Sequence, residues 1–233
     1  MICASMPKRF IRLLNRCCKD KYMIKKSVEA FSDELSSSAP TPGGGSVAAL
    51  MGSMGAALVS MVANLTIGKK KYANVEDEVS RLLEESESLR HKLVDAIQKD
   101  VVAFDSVMSV YALPKSSDEE KKFRNQKMQI SLKEAIEAPL ECAYLAMSVL
   151  PLSKKIAEIG NVNIISDAGV AALAARAALR SSALNVYVNA SSLDDKDFAS
   201  AKISEVKKLM SESSHLEQEV FDKVSEVILG NQG

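Results

Sequence analysis

Residues 47–67 contain not one charged side chain, and this stretch limits what the rest of the chain can become. A helix that is apolar all round must lie inside a bundle or inside a bilayer. Ala48, Gly52, Ala56 and Ser60 recur every four residues and leave one face almost bare, so a second backbone can come close. Leu50, Met54, Leu58, Met61, Val62 and Leu65 supply bulk elsewhere. Ser53, Ser60, Asn64 and Thr66 dilute the hydropathy, and no companion span free of charge exists. The expectation is a packed central helix, with no membrane partner.

The segment that opens this helix is Ala39-Pro40-Thr41-Pro42-Gly43-Gly44-Gly45-Ser46. Two prolines stiffen the approach and three glycines remove every β-carbon from a short bend. Ser46 is expected to cap the helix through its hydroxyl. Two readings fit the glycines: a tight loop between helices, or a helix N-terminus open to an anion or a flat polar group. The Walker and dinucleotide patterns do not fit, because no Gly-Lys-Ser/Thr follows and no strand precedes.

Thirty cations balance thirty anions, so the chain has no general attraction to nucleic acid. Aromatics make up 5%, Trp is absent, and Ala, Leu, Met, Lys and Glu are plentiful, which favours helices over sheets. Cys3, Cys17, Cys18 and Cys142 have no metal-ligand spacing and form no framework, pointing to a reducing, cytoplasmic setting. Residues 1–22 stand apart: six cations against Asp20 alone give a net +5. They read as a targeting-like extension or a mis-assigned start, with a single domain over 23–233 beginning at Met23.

Along that domain the signals are helical. Ser27 opens a short helix carrying Val28, Phe31 and Leu35. Gly68-Lys69-Lys70-Lys71-Tyr72 ends the central helix with cations where its dipole favours them. A long helix over 75–111 follows, its stripe running through Val79, Leu82, Leu93, Ile97, Val101, Phe104 and Met108. Asp100 falls inside that stripe, and Arg90, ten residues away, lies about 15 Å along the axis, too far to pair with it. A carboxylate on a core face is costly unless hydrogen-bonded or used. Ser117-Asp118-Glu119-Glu120 reads as a capping box, Pro139 as a kink or a new start, and Pro151 as a break. Ser166-Asp167 caps a second small-residue helix through Asn189, with Asn185 and Asn189 on its small face and Arg176 and Arg180 on the other. Asp194 or Asp197 begins the last helix. The fold class is all-α: two apolar helices surrounded by longer amphipathic ones.

The motifs Pro42-Gly43-Gly44-Gly45-Ser46-Val47-Ala48-Ala49, Gly68-Lys69-Lys70-Lys71-Tyr72, Asp100-Val101-Val102-Ala103-Phe104 and Leu113-Pro114-Lys115 come in that order. Gly160-Asn161, Ser166-Asp167 and Asn185-Val186-Tyr187-Val188-Asn189 follow. Together they resemble the cyclodeaminase/cyclohydrolase family of folate enzymes, including the C-terminal half of formiminotransferase-cyclodeaminase. The resemblance implies a helical homodimer acting on tetrahydrofolate one-carbon units, with no metal and no cofactor beyond the folate substrate. It places the catalytic aspartate at Asp100 and the pterin or one-carbon centre at Gly43, Gly44, Gly45 and Ser46. Asn161, Asp167 and Asn185 become polar contacts, and Lys69, Lys70 and Lys71 a site for a polyglutamate tail. The leaning is to a cyclodeaminase that closes 5-formiminotetrahydrofolate to the 5,10-methenyl form and releases ammonia. The alternatives are the cyclohydrolase that opens the methenyl ring with water, and a folate-binding scaffold without turnover.

Overall fold

The computed structural model describes residues 25–230, so the basic extension 1–22 and the expected start at Met23 lie outside the described residues. Six α-helices follow one another: α1 (Val28–Leu35), α2 (Gly44–Asn64), α3 (Glu76–Tyr111), α4 (Asp118–Ile159), α5 (Ile165–Ser191) and α6 (Lys196–Gly230). No strand occurs among the described residues. Short 3-10 turns at Lys70–Val75 and Val162–Ile164 link α2 to α3 and α4 to α5.

Neighbours run antiparallel, as cross-helix contacts show. Ser46, Gly52 and Ser60 of α2 meet Asp100, Leu93 and Ser86 of α3 in reverse order. Gly52 and Gly55 face Ala178 and Ala171 of α5 in the same sense. A β-carbon on Gly55 would stand 2.9 Å from the Ala171 carbonyl oxygen, so the α2 and α5 backbones meet closely at Gly55. The bare line Ala48–Gly52–Ala56–Ser60 is buried as expected, but Ser60 and Gly52 turn partly toward α3.

Several expected boundaries move. Ser27 does cap α1, accepting from Ala30 N–H at 3.1 Å, and the box at Ser117 and Glu120 is complete. Ser46 is not a cap: Gly43 holds that position and Ser46 lies inside the first turn. Ser166 and Asp167 likewise sit inside α5, whose cap position is Ile164. Neither Asp194 nor Asp197 opens α6; Asp195 does, its Oδ1 accepting from Phe198 N–H at 3.0 Å. Helix α4 runs unbroken through Pro139 and Pro151. Pro139 has no N–H to give the Ala135 carbonyl, and Asn189 of α5 fills that vacancy, donating from Nδ2 at 2.9 Å. Asn189 therefore acts as helix–helix glue.

The core forms two clusters. One joins α1, α2 and α3 to the C-terminal half of α4, the N-terminal half of α5 and the end of α6; the other joins the middle of α4 to the C-terminal half of α5 and the first half of α6. Helices α2, α4 and α5 are long and apolar enough to cross a membrane by length and composition, and 61% of the α2 window is buried inside the protein. Neither central helix is fully enclosed. Met54 and Met61 of α2, Leu65 at its C-cap, and Val170, Leu173, Leu184 and Val188 of α5 are exposed.

Candidate active site

Because α3 is antiparallel to α2 and meets its start at Asp100, the last three turns of α3 overhang the beginning of α2. Phe104, Val107, Met108 and Tyr111 thus have no α2 side chain above them and wall a pocket instead of filling a core. The opposite walls come from Leu132, Ala135 and Pro139 of α4 and from Asn185, Val188 and Asn189 of α5. Pro40, Thr41 and the three glycines form the rim. The cavity is about 390 Å³, within the range of small-molecule sites.

Asp100 is the only ionisable carboxylate in this lining, and it is half-buried. Its carboxylate rests directly on Gly45: a β-carbon there would lie 1.9 Å from Oδ1 and 2.5 Å from Cγ. Gly45 therefore makes room for the protein's own carboxylate. Ser46 Oγ donates to Oδ2 at 2.8 Å, and the Ser46 backbone N–H also supports the ionised form. Burial acts the other way and is the larger effect, so the Asp100 carboxyl is raised above its ordinary value. A group so placed can take a proton and return it nearer neutrality than an exposed aspartate.

Across the opening, Asn185 lines the same pocket with its Nδ2 tied to the Ser181 carbonyl at 2.9 Å. A β-carbon on Gly44 would come within 3.8 Å of that nitrogen, so Asn185 and the glycine rim face one another. Gly43, Gly44, Gly45, Asp100 and Asn185 are brought together. Ser46 joins them only through Asp100, because it does not line the cavity.

The other expected contacts lie elsewhere. Asn161 is 4% exposed at the far end of α2, where Nδ2 donates to Leu65 O at 3.0 Å and its N–H to Thr66 Oγ1 at 2.9 Å. Tyr72 closes this latch, accepting from Val162 N–H at 3.0 Å. Asp167 sits half-buried in the first turn of α5, at the same far end. Lys69, Lys70 and Lys71 are exposed there too, separated from Asp100 by the length of α2, about 30 Å. The pocket walls Phe104, Met108 and Tyr111 were legible only as an apolar stripe. Ser46 lies 54 positions from the carboxylate it holds, so no local pattern could pair them.

A larger groove of about 690 Å³ follows the outer seam of α3 and α4. Asp95, Glu134, Glu137 and Glu141 rim it, and its one cation, Lys99, is held by Glu141 at 2.7 Å. Such a rim repels anions, and its one bonded pair, Lys99 and Glu141, lies exposed to solvent. The smaller pocket, with its half-buried carboxylate, is the better candidate.

A sequence profile described as formiminotransferase-cyclodeaminase matches residues 27–208. The chain is 53% identical to a methenyltetrahydrofolate cyclohydrolase of Methylorubrum extorquens, over 85% of this chain and 96% of that protein. It is 32% identical to the formimidoyltransferase-cyclodeaminase of Gallus gallus over 84% of its own length, but spans only 36% of that longer protein. The crystal structure of a formiminotetrahydrofolate cyclodeaminase from Thermotoga maritima superposes with a TM-score of 0.78 at 33% identity, covering 88% of this chain and 98% of that one. The chain belongs to the formiminotransferase-cyclodeaminase family of folate one-carbon enzymes.

Proposed function

We propose that the protein is a methenyltetrahydrofolate cyclohydrolase, opening 5,10-methenyltetrahydrofolate with water to give 10-formyltetrahydrofolate. The observation that carries this reading is the 53% identity to a cyclohydrolase along 96% of that relative's length. It reverses the leaning that the motifs alone give toward the cyclodeaminase. In this reaction Asp100 takes a proton from the attacking water as oxygen bonds to the methenyl carbon. When the tetrahedral carbon collapses and its bond to N5 breaks, Asp100 returns that proton to N5, and the second hydroxyl proton passes to solvent. The flat ring lies against the glycine rim, between Phe104 and Asn185. Cyclodeaminase chemistry is the second reading, favoured by the Thermotoga maritima structure. It uses the same tetrahedral carbon, with N10 as nucleophile and ammonia as leaving group.

The uncovered faces of α2 and α5 meet a second copy of the chain in this reading, giving a homodimer. Sedimentation at the mass of one chain would overturn that part. For the chemistry, purified protein is incubated with 5,10-methenyl- and, separately, 5-formiminotetrahydrofolate, and methenyl absorbance is followed against no-enzyme controls. A cyclohydrolase speeds its disappearance from the first substrate. Faster appearance from the second, with a higher kcat/KM, selects the cyclodeaminase, and turnover of neither leaves a folate-binding scaffold.

A further inference from the structure

Several serines inside these helices turn their hydroxyls back on their own backbone, as Ser53 does to Leu50 O at 2.8 Å and Ser213 to Met210 O at 2.9 Å. Ser46 does not. It is 0% exposed, is absent from the pocket lining, and reaches across to α3 to give its proton to Oδ2 of Asp100. A buried hydroxyl that cannot touch substrate but grips the acid–base carboxylate acts through that carboxylate or not at all.

We propose that Ser46 is the positioning residue of the reaction: it fixes Oδ2 of Asp100 and leaves Oδ1 as the oxygen that exchanges the proton with substrate. The inference rests on the reading of Asp100 as the acid–base group. Two features of the first turn of α2 combine here. The missing β-carbon of Gly45 admits the carboxylate, and Ser46 then stops it rotating. An aspartate otherwise has a soft terminal torsion, so without the anchor it would present its oxygens in many directions and lose the alignment proton transfer needs. A hydrogen bond to the ionised form also opposes the effect of burial, keeping the carboxylate available as a base.

Ser46→Ala, Asp100→Asn and the double variant test this, with melting temperatures to show that each folds. Ser46→Ala should lower kcat roughly 10- to 100-fold, the loss of one charge-assisted hydrogen bond, with KM little changed. The limb of the pH profile that reports Asp100 ionisation should move to higher pH. In the Asp100→Asn background, the same Ser46→Ala change should cost no further activity, because its partner is already disabled. A ¹³C titration of the Asp100 carboxyl in the free protein should show the same upward move in Ser46→Ala without any substrate. An unmoved titration, or an equal additional loss in the double variant, overturns the positioning role. Full activity in Asp100→Asn instead overturns the catalytic reading of Asp100, a separate result.

Discussion

At the N-terminal end of α2, Ser46, Asp100 and Asn185 gather about a pocket of about 390 Å³; at its C-terminal end, Thr66, Tyr72 and Asn161 close on one another. Both ends carry a hydroxyl, an asparagine and a glycine-containing turn. At the far end the Asn161 bonds go to groups of the protein: its N–H to Thr66, its Nδ2 to Leu65 O, and its Oδ1 to Asn163 N–H. At the near end the carboxylate is held by Ser46 and the asparagine by its own helix, both beside open space. The difference teaches that residue type marks a helix terminus as important, while spent or unspent hydrogen-bonding capacity divides scaffold from site.

The sharpest way to break this comparison is Asp100→Asn. The amide keeps the shape but cannot act as a base, so kcat should fall by roughly 10²–10⁴. Stability should respond in the opposite sense. Because burial raises the folded-state value of Asp100, stability is lost as pH rises from the ordinary carboxylate range through that raised value, and the loss is complete above it. The Asn variant should therefore melt no lower than wild type at neutral pH. Any advantage should vanish as pH falls into the ordinary carboxylate range, where both forms are neutral. Melting curves from pH 4 to 8 with parallel assays check both signs, and a variant that unfolds at neutral pH would make Asp100 structural.

Gly45→Ala comes next. Its β-carbon would meet Asp100 Oδ1 at 1.9 Å, so the carboxylate or the start of α2 must shift. Overpacking of that kind costs about 1–3 kcal/mol, and kcat should fall with it, at least about tenfold, as alignment is lost. Gly44→Ala is the control: its nearest neighbour, Asn185 Nδ2, would be 3.8 Å away, an ordinary contact. Equal melting temperatures of the two alanine variants would deny Gly45 its place beneath the carboxylate.

Much of the fold was legible because helix signals are local. The charge-free stretch, the 3–4 stripes and the box at Ser117 and Glu120 act over one or two turns, and each became a helix or its cap. Asp100 stood out because its phase placed a carboxylate among Ile97, Val101 and Phe104. Its partner did not stand out, since none of its own turn offers a donor and Ser46 comes from another helix. The new start expected as one option at Pro139 and the break expected at Pro151 did not occur. Pro139 breaks only one intrahelical bond, and a distant asparagine restores the lost partner, so α4 continues. Asn161 and Asp167 were grouped with the site because a motif records order, whereas antiparallel packing sends the start of α5 to the opposite end of α2.

Asn161→Ala probes that opposite end. It removes the donor to Leu65 O and the acceptor of Asn163 N–H in a buried setting, so stability should drop by about 1–3 kcal/mol. Turnover per folded molecule should not change, because the latch lies a helix length from Asp100. Denaturant midpoints and kcat measured on the same preparations separate the two. A large loss of kcat at unchanged stability would show that the far end reaches the chemistry.

The smallest effect belongs to Lys69, Lys70 and Lys71. All three are exposed, so replacing them together by glutamine should leave stability within roughly 0.5 kcal/mol. Within one chain the length of α2 separates them from Asp100, about 30 Å, beyond the span of a folate with a single glutamate. Their proposed role as a site for a polyglutamate tail then makes a length-dependent prediction. KM for the monoglutamate should be unchanged, KM for a long polyglutamate should rise, and the difference should shrink in high salt as exposed charges are screened. An equal rise for both lengths would mean that the lysines act on the shared part of the substrate. In the proposed homodimer, only a partner's lysines could then bring that contact close to Asp100. No change at either length would leave them as solvated residues of the turn that follows Gly68, where φ is +75° and the chain reverses from α2 toward α3.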